Sequence, residues 1–364
     1  YDAKTLQERF YIAHELNSTV SEAQDEKRSA RVDKWRQISS DGDQELFDRR
    51  LSIVDLSAED LGNIFADIAL SSIPTPAWTD ILAEIFEVVN NAGLQSVSQS
   101  NNNASDFIVE DAPLPFQDLF IPIIQFARTK VLANWQDKDS LILDKANSDL
   151  DRLLLARLSE TCSRVLEVEF NTFLAMLQLE GLDYQEITSN SDSTKYYELF
   201  IARCFHGGLE EICLEYPVFA RHLVHRIEQW IEITIEFNER LSKDIGDLRE
   251  QLGVPQHCRV SGLKPGLSDP HDNGRTVIVT EFESGHKVVY KPKDQGPDAG
   301  YFELTGWLNE KGAPHDFKLL HIIKGSDYGW IEFAKSEPIL EEQGAARFYL
   351  RSGSLLALLY ALDG

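Results

Sequence analysis

The residues best suited to chemistry lie in a polar loop from Gly266 to Gly274. This loop carries Asp269 and His271 on either side of Pro270. Because imidazole titrates near neutrality, a histidine close to an aspartate suits proton transfer or contact with a phosphate group. An Asp-Pro turn with an exposed histidine would explain the same residues. The loop is therefore a candidate site with two open interpretations.

The loop leads into two short runs, 275–282 and 286–290, which are rich in β-branched residues and separated by a glycine-containing turn. This pattern predicts a β-hairpin. Several folds cover and hold nucleotide phosphates with a loop followed by a hairpin that carries a lysine inward. Lys291, Gly274 and Arg275 are thus candidates for nucleotide binding. A surface lysine at the end of a strand is the alternative.

The elements after the hairpin extend this pattern. Residues 298–308 are predicted to form a helix, and 317–323 and 328–333 two more strands, so the order is strand, strand, helix, strand, strand. That order matches the small lobe of the protein-kinase architecture, provided that 258–263 supplies a short first strand. Glu303 then falls on the helix that would pair with Lys291 and orient phosphates.

The last predicted strand ends at Glu332 and Phe333, where a kinase-like fold places the hinge whose backbone meets adenine. A simple core strand is the other interpretation. Together with Gly274, Arg275 and Lys291, these two residues and Glu303 complete the predicted nucleotide-binding set. The prediction includes no metal ligand.

The rest of the chain is mostly helical in pattern, and the period changes from helical to strand-like at Gly253. The fold class is therefore α+β, mainly helical, with a helical region over 1–253 and a small lobe with an antiparallel sheet over 254–364. Within the helical region we expect a charged connection over 18–43 and a pair of helices over 141–179. Residues 345–362 are predicted to form a buried helix.

Composition excludes several classes. The chain has 364 residues and a net charge of −25, which argues against nucleic acid or an anionic membrane as the main partner. Its four cysteines are scattered, so the sequence indicates neither a zinc knuckle nor a disulfide framework. We find no apolar run that would span a bilayer and no signal peptide at the N-terminus. Thiols buried in a core within a reducing cytoplasm are the expectation.

Several separate motifs carry a resemblance to one family. The stretches LSDPHDNGRTVIVTEFESGHKVVYKPK, WLNEKG, DYGWIEF and LLALLYALDG resemble the dehydratase domain of class II lanthipeptide synthetases. The helical stretches LPFQDLFIPIIQFAR and GGLEEICLEYPVFARHLVHRIEQWIE are similar to upstream segments of that family. The resemblance covers most of the chain from about Leu114 onward.

The resemblance implies an enzyme that phosphorylates Ser and Thr of a ribosomal precursor peptide with ATP and Mg²⁺, then eliminates phosphate. It implies a lipid-kinase-like core, and in the full protein a separate zinc cyclase that adds Cys thiols to form lanthionine rings. Lys291 matches the family's phosphate-contacting lysine. Asp269 and His271 match the Asp-x-His of its phosphate loop, where elimination or phosphate handling is expected.

The sequence also departs from that family. The helix resembling 345–362 leads there into a catalytic loop and a metal-binding acid, and this sequence ends before both. We therefore expect these residues to be the N-terminal portion of the enzyme and to be inactive alone. A non-catalytic module that binds the leader of the precursor peptide, and an ordinary kinase small lobe, are the alternatives.

Overall fold

The computed structural model describes residues 3–5, 8, 25–65, 75–96, 106–109, 111–135, 141–179, 192–336 and 338–362. The chain divides into two compact units. The first comprises Tyr1–Glu87 with Gly207–Val224, and the second Val88–His206 with His225–Gly364. The predicted division of the chain at residue 253 stays a prediction. A mainly helical α+β fold is confirmed.

Along the described parts of the chain, a series of helices precedes the sheet. These helices are α1 (Asp25–Ser40), α2 (Gln44–Ile53), α3 (Ala58–Ile64), α4 (Trp78–Ser96), α5 (Gln117–Asn134), α6 (Asp144–Leu179), α7 (Asp192–Arg203), a π-helical turn (Cys204–Gly208), α8 (Leu209–Glu215) and α9 (Pro217–Gln251). The remaining elements are β1 (Val260–Lys264), β2 (Ile278–Phe282), β3 (Lys287–Lys291), α10 (Gly296–Glu310), β4 (Ile322–Lys324), β5 (Gly329–Glu332) and α11 (Glu342–Ala361).

The first unit has a small core, and its structure corrects one expectation. The charged connection predicted over 18–43 is wrong for 25–40, which form α1. Charged residues dominate this helix and obscure its apolar stripe, but Trp35 packs edge-on against Phe47 with ring centroids 5.3 Å apart. Packing of α1 against α2 and α3 therefore stabilises a helix whose own sequence pattern is weak.

Helix α3 begins with a cap formed by two polar residues three positions apart. Ser57 and Asp60 form a reciprocal cap: the Asp60 N–H donates to Ser57 Oγ at 3.1 Å, and the Ser57 N–H donates to Asp60 Oδ2 at 2.7 Å. Two backbone donors at the helix start are satisfied in this way, as in a capping box.

The long helix α6 dominates the second unit. The expected pair of helices over 141–179 is wrong, because 144–179 form one helix of 36 residues. Neither glycine nor proline interrupts it, and its buried apolar residues recur every four positions, which favours a continuous helix. The buried face comprises Leu150, Leu154, Leu158, Cys162 and Leu166.

The second unit also contains a five-stranded sheet with the order β1-β2-β3-β5-β4, and every strand pair in it is antiparallel. The strand order and the helix between β3 and β4 agree with the predicted sequence of elements. Helix α6 supports β1, where the Leu263 N–H donates to Asp149 Oδ2 at 2.8 Å. The sheet is therefore fixed to the helical part of this unit at its first strand.

Helix α9 covers one face of the sheet. Phe237 packs against Tyr290 of β3 and Trp330 of β5, with ring centroids 5.3 and 6.1 Å away. The indole N–H of Trp330 donates to Asp244 Oδ2 at 2.9 Å. Because side chains alternate along β3, Lys291 lies on the opposite face from Tyr290.

The last helix, α11, is confirmed as a helix but not as a buried one. None of its residues is buried, and Tyr360 is 86% exposed. The apolar composition correctly indicated helix, but the prediction of burial is wrong for this structure. Among the described residues, every helix falls short of the length and apolarity needed to cross a bilayer.

Candidate functional site

The loop that carries Asp269 and His271 ends in a tight turn. The His271 N–H donates to the Arg275 carbonyl at 3.0 Å, and the Arg275 N–H donates to the His271 carbonyl at 2.8 Å. Between them, Asp272, Asn273 and Gly274 have φ values of 37°, 67° and 91°. Asn, Asp and Gly tolerate this left-handed region better than other residues, so the local sequence favours the turn.

The turn is attached to two helices. Arg157 of α6 donates to the Gly274 carbonyl at 2.9 Å. Asn273 accepts from Gln229 Nε2 and donates to Glu232 Oε2, both at 2.8 Å, and these partners lie on α9. The base of the loop is therefore held in one conformation by side chains from α6 and α9.

Arg275 makes the strongest of these attachments. Its Nη2 lies 2.6 Å from Glu236 Oε2 and 3.1 Å from Glu232 Oε1, and its Nε donates to Glu236 as well. The hydrogen bond to Glu236 raises the pKa of Arg275 further above its ordinary value. The structure thus places this candidate nucleotide ligand in an ion-pair network, with its charge already balanced.

The network continues from the loop into the sheet. Glu236 also accepts from Arg240 at 2.6 Å, and Arg240 donates to the Tyr290 hydroxyl at 2.6 Å. Burial raises the pKa of that hydroxyl, so it stays protonated. Through these contacts, the loop, α9 and β3 form one connected polar assembly.

Asp269 and His271 themselves are exposed, and His271 is one of the two residues that close the turn. In the described part of the chain, neither side chain forms an ion pair or a hydrogen bond, and the Ser268 hydroxyl donates to the Asp269 carbonyl at 3.2 Å. Their side chains are therefore accessible to a ligand, while the backbone that carries them is fixed at its base. This arrangement suits groups that must meet a substrate from solvent.

Lys291 is half-buried on the sheet face away from α9. Its Nζ lies 3.5 Å from Asp298 Oδ1, and Lys293 Nζ lies 3.7 Å from Asp298 Oδ2. Two ammonium groups thus share one carboxylate in the first turn of α10. Asp294, beside Lys293, accepts from the Gly296 N–H at 2.8 Å, so residues 291–298 carry two lysines and two aspartates. The ammonium group of Lys291 is itself a donor for an anion such as a phosphate group.

The structure does not bring Lys291 into an ion pair with Glu303. Glu303 is exposed on α10, five residues after Asp298, and the ion pair that forms is with Asp298. The kinase-like pattern predicted Glu303 as the partner of Lys291, whereas Asp298 lies in the first turn of α10. A functional Lys291–Glu303 pair stays a prediction.

At the predicted hinge, Glu332 is exposed and Phe333 is half-buried. The Glu332 N–H already donates to the His321 carbonyl at 3.0 Å, and Lys287 Nζ lies 5.8 Å from the centroid of the Phe333 ring. Because this N–H is already bonded, a nucleotide base could form hydrogen bonds only with other backbone groups of this segment. The role of both residues stays a prediction.

Sequence reasoning missed the residues of α9 that hold the loop. Glu232, Glu236 and Arg240 are spaced by four, which places them on one face of the helix. That spacing was the available signal, but it did not tell which element the charged face would contact. Among the described residues, no group of three His, Cys, Asp or Glu side chains could hold a metal ion.

Two comparisons relate this chain to known proteins. A family model described as "Domain of unknown function (DUF4135)" matches residues 216–364. The lacticin 481/lactococcin biosynthesis protein LcnDR2 of Lactococcus lactis subsp. lactis is 26% identical over 165 residues. That alignment covers 43% of this chain and 18% of the relative, so the chain spans less than a fifth of the protein it matches. The chain is similar to a protein of lantibiotic biosynthesis over this region.

Proposed function

We propose that this chain is part of a class II lanthipeptide synthetase, and that its sheet carries one side of the site that phosphorylates Ser and Thr of a ribosomal precursor peptide. The observation that carries the proposal is the position of Lys291. It lies at the end of β3, in a sheet ordered β1-β2-β3-β5-β4, on the face that α9 leaves free. The similarity to a lacticin 481 biosynthesis protein supports the peptide substrate.

The residues around Lys291 fit a nucleotide phosphate. Lys291 and Lys293 share the carboxylate of Asp298 at 3.5 and 3.7 Å, contacts longer than a strong charge-assisted hydrogen bond, so either ammonium group can exchange this partner for a phosphate oxygen. ATP, when bound, supplies the phosphoryl group, and Mg²⁺ neutralises charge on the phosphates. Lys291 would hold the phosphates and fix their orientation. Arg275 is assigned to anchoring the loop, because two glutamates already bind it.

Asp269 and His271 are proposed to act in phosphate elimination. Both are exposed on a loop whose base is fixed to α6 and α9. A base that removes the α-proton of a phosphorylated residue needs a fixed backbone and access to solvent-borne peptide. Of the two residues, His271 is the better candidate for the base that removes this proton, because imidazole suits proton transfer near neutral pH. Asp269 would orient the phosphate loop or the imidazole.

For the whole protein we propose dehydration followed by cyclisation, with Zn²⁺ confined to a separate cyclase domain. Since the aligned region covers 18% of the relative, these activities belong to the proposal for the complete enzyme. A precursor peptide is the proposed partner, and the cytoplasm the proposed location. The alternative of a leader-binding module predicts peptide binding that is independent of ATP.

The test compares Lys291→Ala with Lys287→Ala in the full-length enzyme. Lys287 lies on the same strand and face but forms a surface pair with Glu281 at 3.1 Å, so it is a matched control. With ATP, Mg²⁺ and a cognate precursor peptide, Lys291→Ala should slow phosphorylation by about 100-fold or more. Lys287→Ala should stay within about twofold of the wild type.

Mass spectrometry of the precursor gives the readout, as gain of phosphate and successive losses of water. Normal dehydration by Lys291→Ala would refute the assignment of this lysine. Peptide binding without any phosphorylation by the wild type would favour the leader-binding module.

A further inference from the structure

Two arginines lie against the base of the loop that precedes β2, one on each of the helices that hold it. Arg157 of α6 donates through Nη2 to the Gly274 carbonyl at 2.9 Å. Arg226 of α9 donates through Nη1 to Gln229 Oε1 at 3.2 Å, and Gln229 donates to Asn273 Oδ1. Both guanidinium groups are therefore connected to the same turn. Neither arginine is among the site residues predicted from sequence.

The bare Cα of Gly274 lies between the two arginine side chains. A Cβ built on this residue would lie 3.5 Å from Arg157 Nη1. The same Cβ would lie 3.3 Å from Gln229 Oε1, which is the oxygen that Arg226 binds. Thr161 of α6 also accepts from Arg226 Nε at 3.3 Å, so this side chain is tied to the helix that carries Arg157. The fold thus holds two positive charges close together.

Neither of these charges is paired with a carboxylate. Within the described residues, no Asp or Glu oxygen lies within ion-pair distance of Arg157 or Arg226. Glu160 acts on Arg157 only from a longer distance. Carboxylates are not scarce in this chain, which has 60 acidic and 35 basic residues. Two neighbouring cations without a counter-ion repel each other, and a bound anion would relieve that repulsion.

Burial increases the effect of the missing counter-ion. Both arginines are half-buried, and Gln229, which binds Arg226, is only 6% exposed. Burial, followed by the charge of Arg226, lowers the pKa of Arg157. A guanidinium group still keeps its proton at neutral pH, so both side chains stay charged. Their repulsion therefore persists in the folded protein unless an anion binds.

Several donors of the two guanidinium groups remain free. Within the described residues, Arg157 Nε and Nη1 and Arg226 Nη2 donate to no protein acceptor. None of these three nitrogens is buried, so an anion from solvent can reach them. The two arginines thus present unused N–H groups beside Gly274.

We propose that Arg157 and Arg226 bind a phosphate group, either on a phosphorylated side chain of a peptide or as free phosphate. A phosphate monoester carries a charge of about −1.5 to −2 at pH 7 and three acceptor oxygens, which suits two guanidinium groups. Planar guanidinium groups bind such oxygens in pairs. A carboxylate has a single charge and two oxygens, so one arginine alone would satisfy it.

This inference does not rest on the proposed function. Lys291, the lysine proposed to hold nucleotide phosphates, lies on the face of the sheet opposite Tyr290, whereas α9 packs on the face of Tyr290. Arg226 belongs to α9 itself. Phosphate binding by the two arginines therefore requires neither Lys291 nor ATP.

Calorimetric titration of the 364-residue chain tests the proposal with two matched ligands. Nα-acetyl-phosphoserine methylamide supplies a phosphate group, and Nα-acetyl-aspartate methylamide supplies a carboxylate on a similar backbone. Every protein carries Lys291→Ala, so that phosphate bound by this lysine does not contribute. The phosphoserine derivative should bind at least about 10-fold more tightly than the aspartate derivative, since it can engage the second arginine.

Inorganic phosphate, titrated into the same protein, distinguishes the two sources of the phosphate group. Tighter binding of the phosphoserine derivative than of inorganic phosphate would support a phosphorylated peptide as the ligand. Affinities for the two that agree within about twofold would support free phosphate, because the peptide backbone would then add nothing.

Two substitutions and a matched control locate the site. Arg157→Met and Arg226→Met each remove one guanidinium group, and each should weaken binding of the phosphoserine derivative about 10-fold or more. Arg259→Met removes the same charge elsewhere in the unit, from an exposed pair with Glu283, and should leave this binding unchanged.

Hydrogen exchange separates binding from support of the loop. The His271 and Arg275 amides report whether the turn is closed, because each donates to the other residue's carbonyl. Arg226 bonds to Gln229 and Thr161 and not to the turn itself, so these amides should keep their wild-type exchange in Arg226→Met. Weaker binding with a closed turn assigns Arg226 to the anion.

Four results would overturn the proposal. Equal affinity for the phosphoserine and aspartate derivatives would remove the preference for phosphate. The absence of saturable binding of either phosphate ligand would exclude the site. Unchanged affinity in both Arg157→Met and Arg226→Met would show that phosphate binds elsewhere. Weaker binding in Arg226→Met together with an open turn would assign this arginine to support of the loop.

Discussion

Removal of the Arg275 guanidinium should weaken the attachment of the loop at residues 266–274 to α9 without unfolding the sheet. Asn273 would still bind Gln229 and Glu232. Arg275→Met keeps most of the aliphatic stem and deletes the bonds to Glu236 and Glu232, which are 2.6 and 3.1 Å long. The side chains of Arg275 and Glu236 are only 20% and 19% exposed, so water screens their attraction incompletely. Charge-assisted hydrogen bonds of this kind contribute about 1.5–3 kcal/mol.

Two features limit the size of the effect. Glu236 keeps its bond to Arg240 at 2.6 Å, so the substitution does not strand a buried charge. Glu232 is 53% exposed and adds little, because exposed ion pairs are largely screened. We therefore expect Arg275→Met to lower the free energy of local opening of the loop by about 2 kcal/mol.

Hydrogen exchange measures this opening directly. The N–H groups of His271 and Arg275 each bond to the other residue's carbonyl, so they exchange only when the turn opens. A loss of about 2 kcal/mol corresponds to roughly 30-fold faster exchange of these two amides. Amides of β3 should exchange at the wild-type rate.

The matched control is Arg259→Met. Arg259 pairs with Glu283 at 3.0 Å in the same unit, but both side chains are exposed, so exchange in the loop should not change. Unchanged exchange of His271 and Arg275 in Arg275→Met would refute the reasoning. So would an equal increase throughout the sheet, because the loop would then not open independently.

Three further predictions concern the turn, the buried Asp151 and the exposed His271. In thermal unfolding, Gly274→Ala should destabilise the second unit by about 1–2 kcal/mol, because φ at this residue is 91° and the new Cβ would lie 3.3 Å from Gln229 Oε1. Gly300→Ala is the control: open space surrounds this residue, so the same measurement should show a neutral or stabilising effect. Asp151→Asn should gain stability relative to the wild type between pH 5 and pH 8, because burial raises the folded pKa of Asp151 from 3.8 to about 7. The wild type then loses about 3 kcal/mol of stability as the pH rises through that range. Parallel unfolding midpoints for the two proteins at both pH values would contradict this. In the full-length enzyme, His271→Ala should slow phosphate elimination about 100-fold while the precursor binds normally, so phosphorylated peptide should accumulate. Weakened precursor binding with an unchanged elimination rate would instead assign His271 to peptide binding.

The sequence by itself determined the elements of the sheet region. Alternating β-branched residues between 275 and 290, with a glycine turn between them, specify β2 and β3 locally, and the structure confirms both strands. The turn at 271–275 is equally local, since Asp272, Asn273 and Gly274 suit left-handed backbone. The cap formed by Ser57 and Asp60 is also a local feature, because its two partners lie three residues apart.

Other features depended on contacts between distant segments. Helix α1 has a weak pattern of its own and forms because Trp35 packs against Phe47. The bonds from Arg275 to Glu236 join residues 39 positions apart, so the spacing of α9 indicated a charged face but not its partner. The sequence likewise did not identify the partner of Lys291, because its ion pair with Asp298 depends on the position of the first turn of α10 relative to β3.

Thus the sequence determined which residues are chemically capable: the exposed pair Asp269 and His271, and the lysine at the end of β3. Tertiary structure alone decided which of the charged residues are free for a ligand. It neutralised Arg275 with two glutamates of α9 and left Lys291 and Lys293 to share one aspartate. The physical reason is that side-chain charge is a property of one residue, whereas its compensation depends on neighbours that only the folded chain brings together.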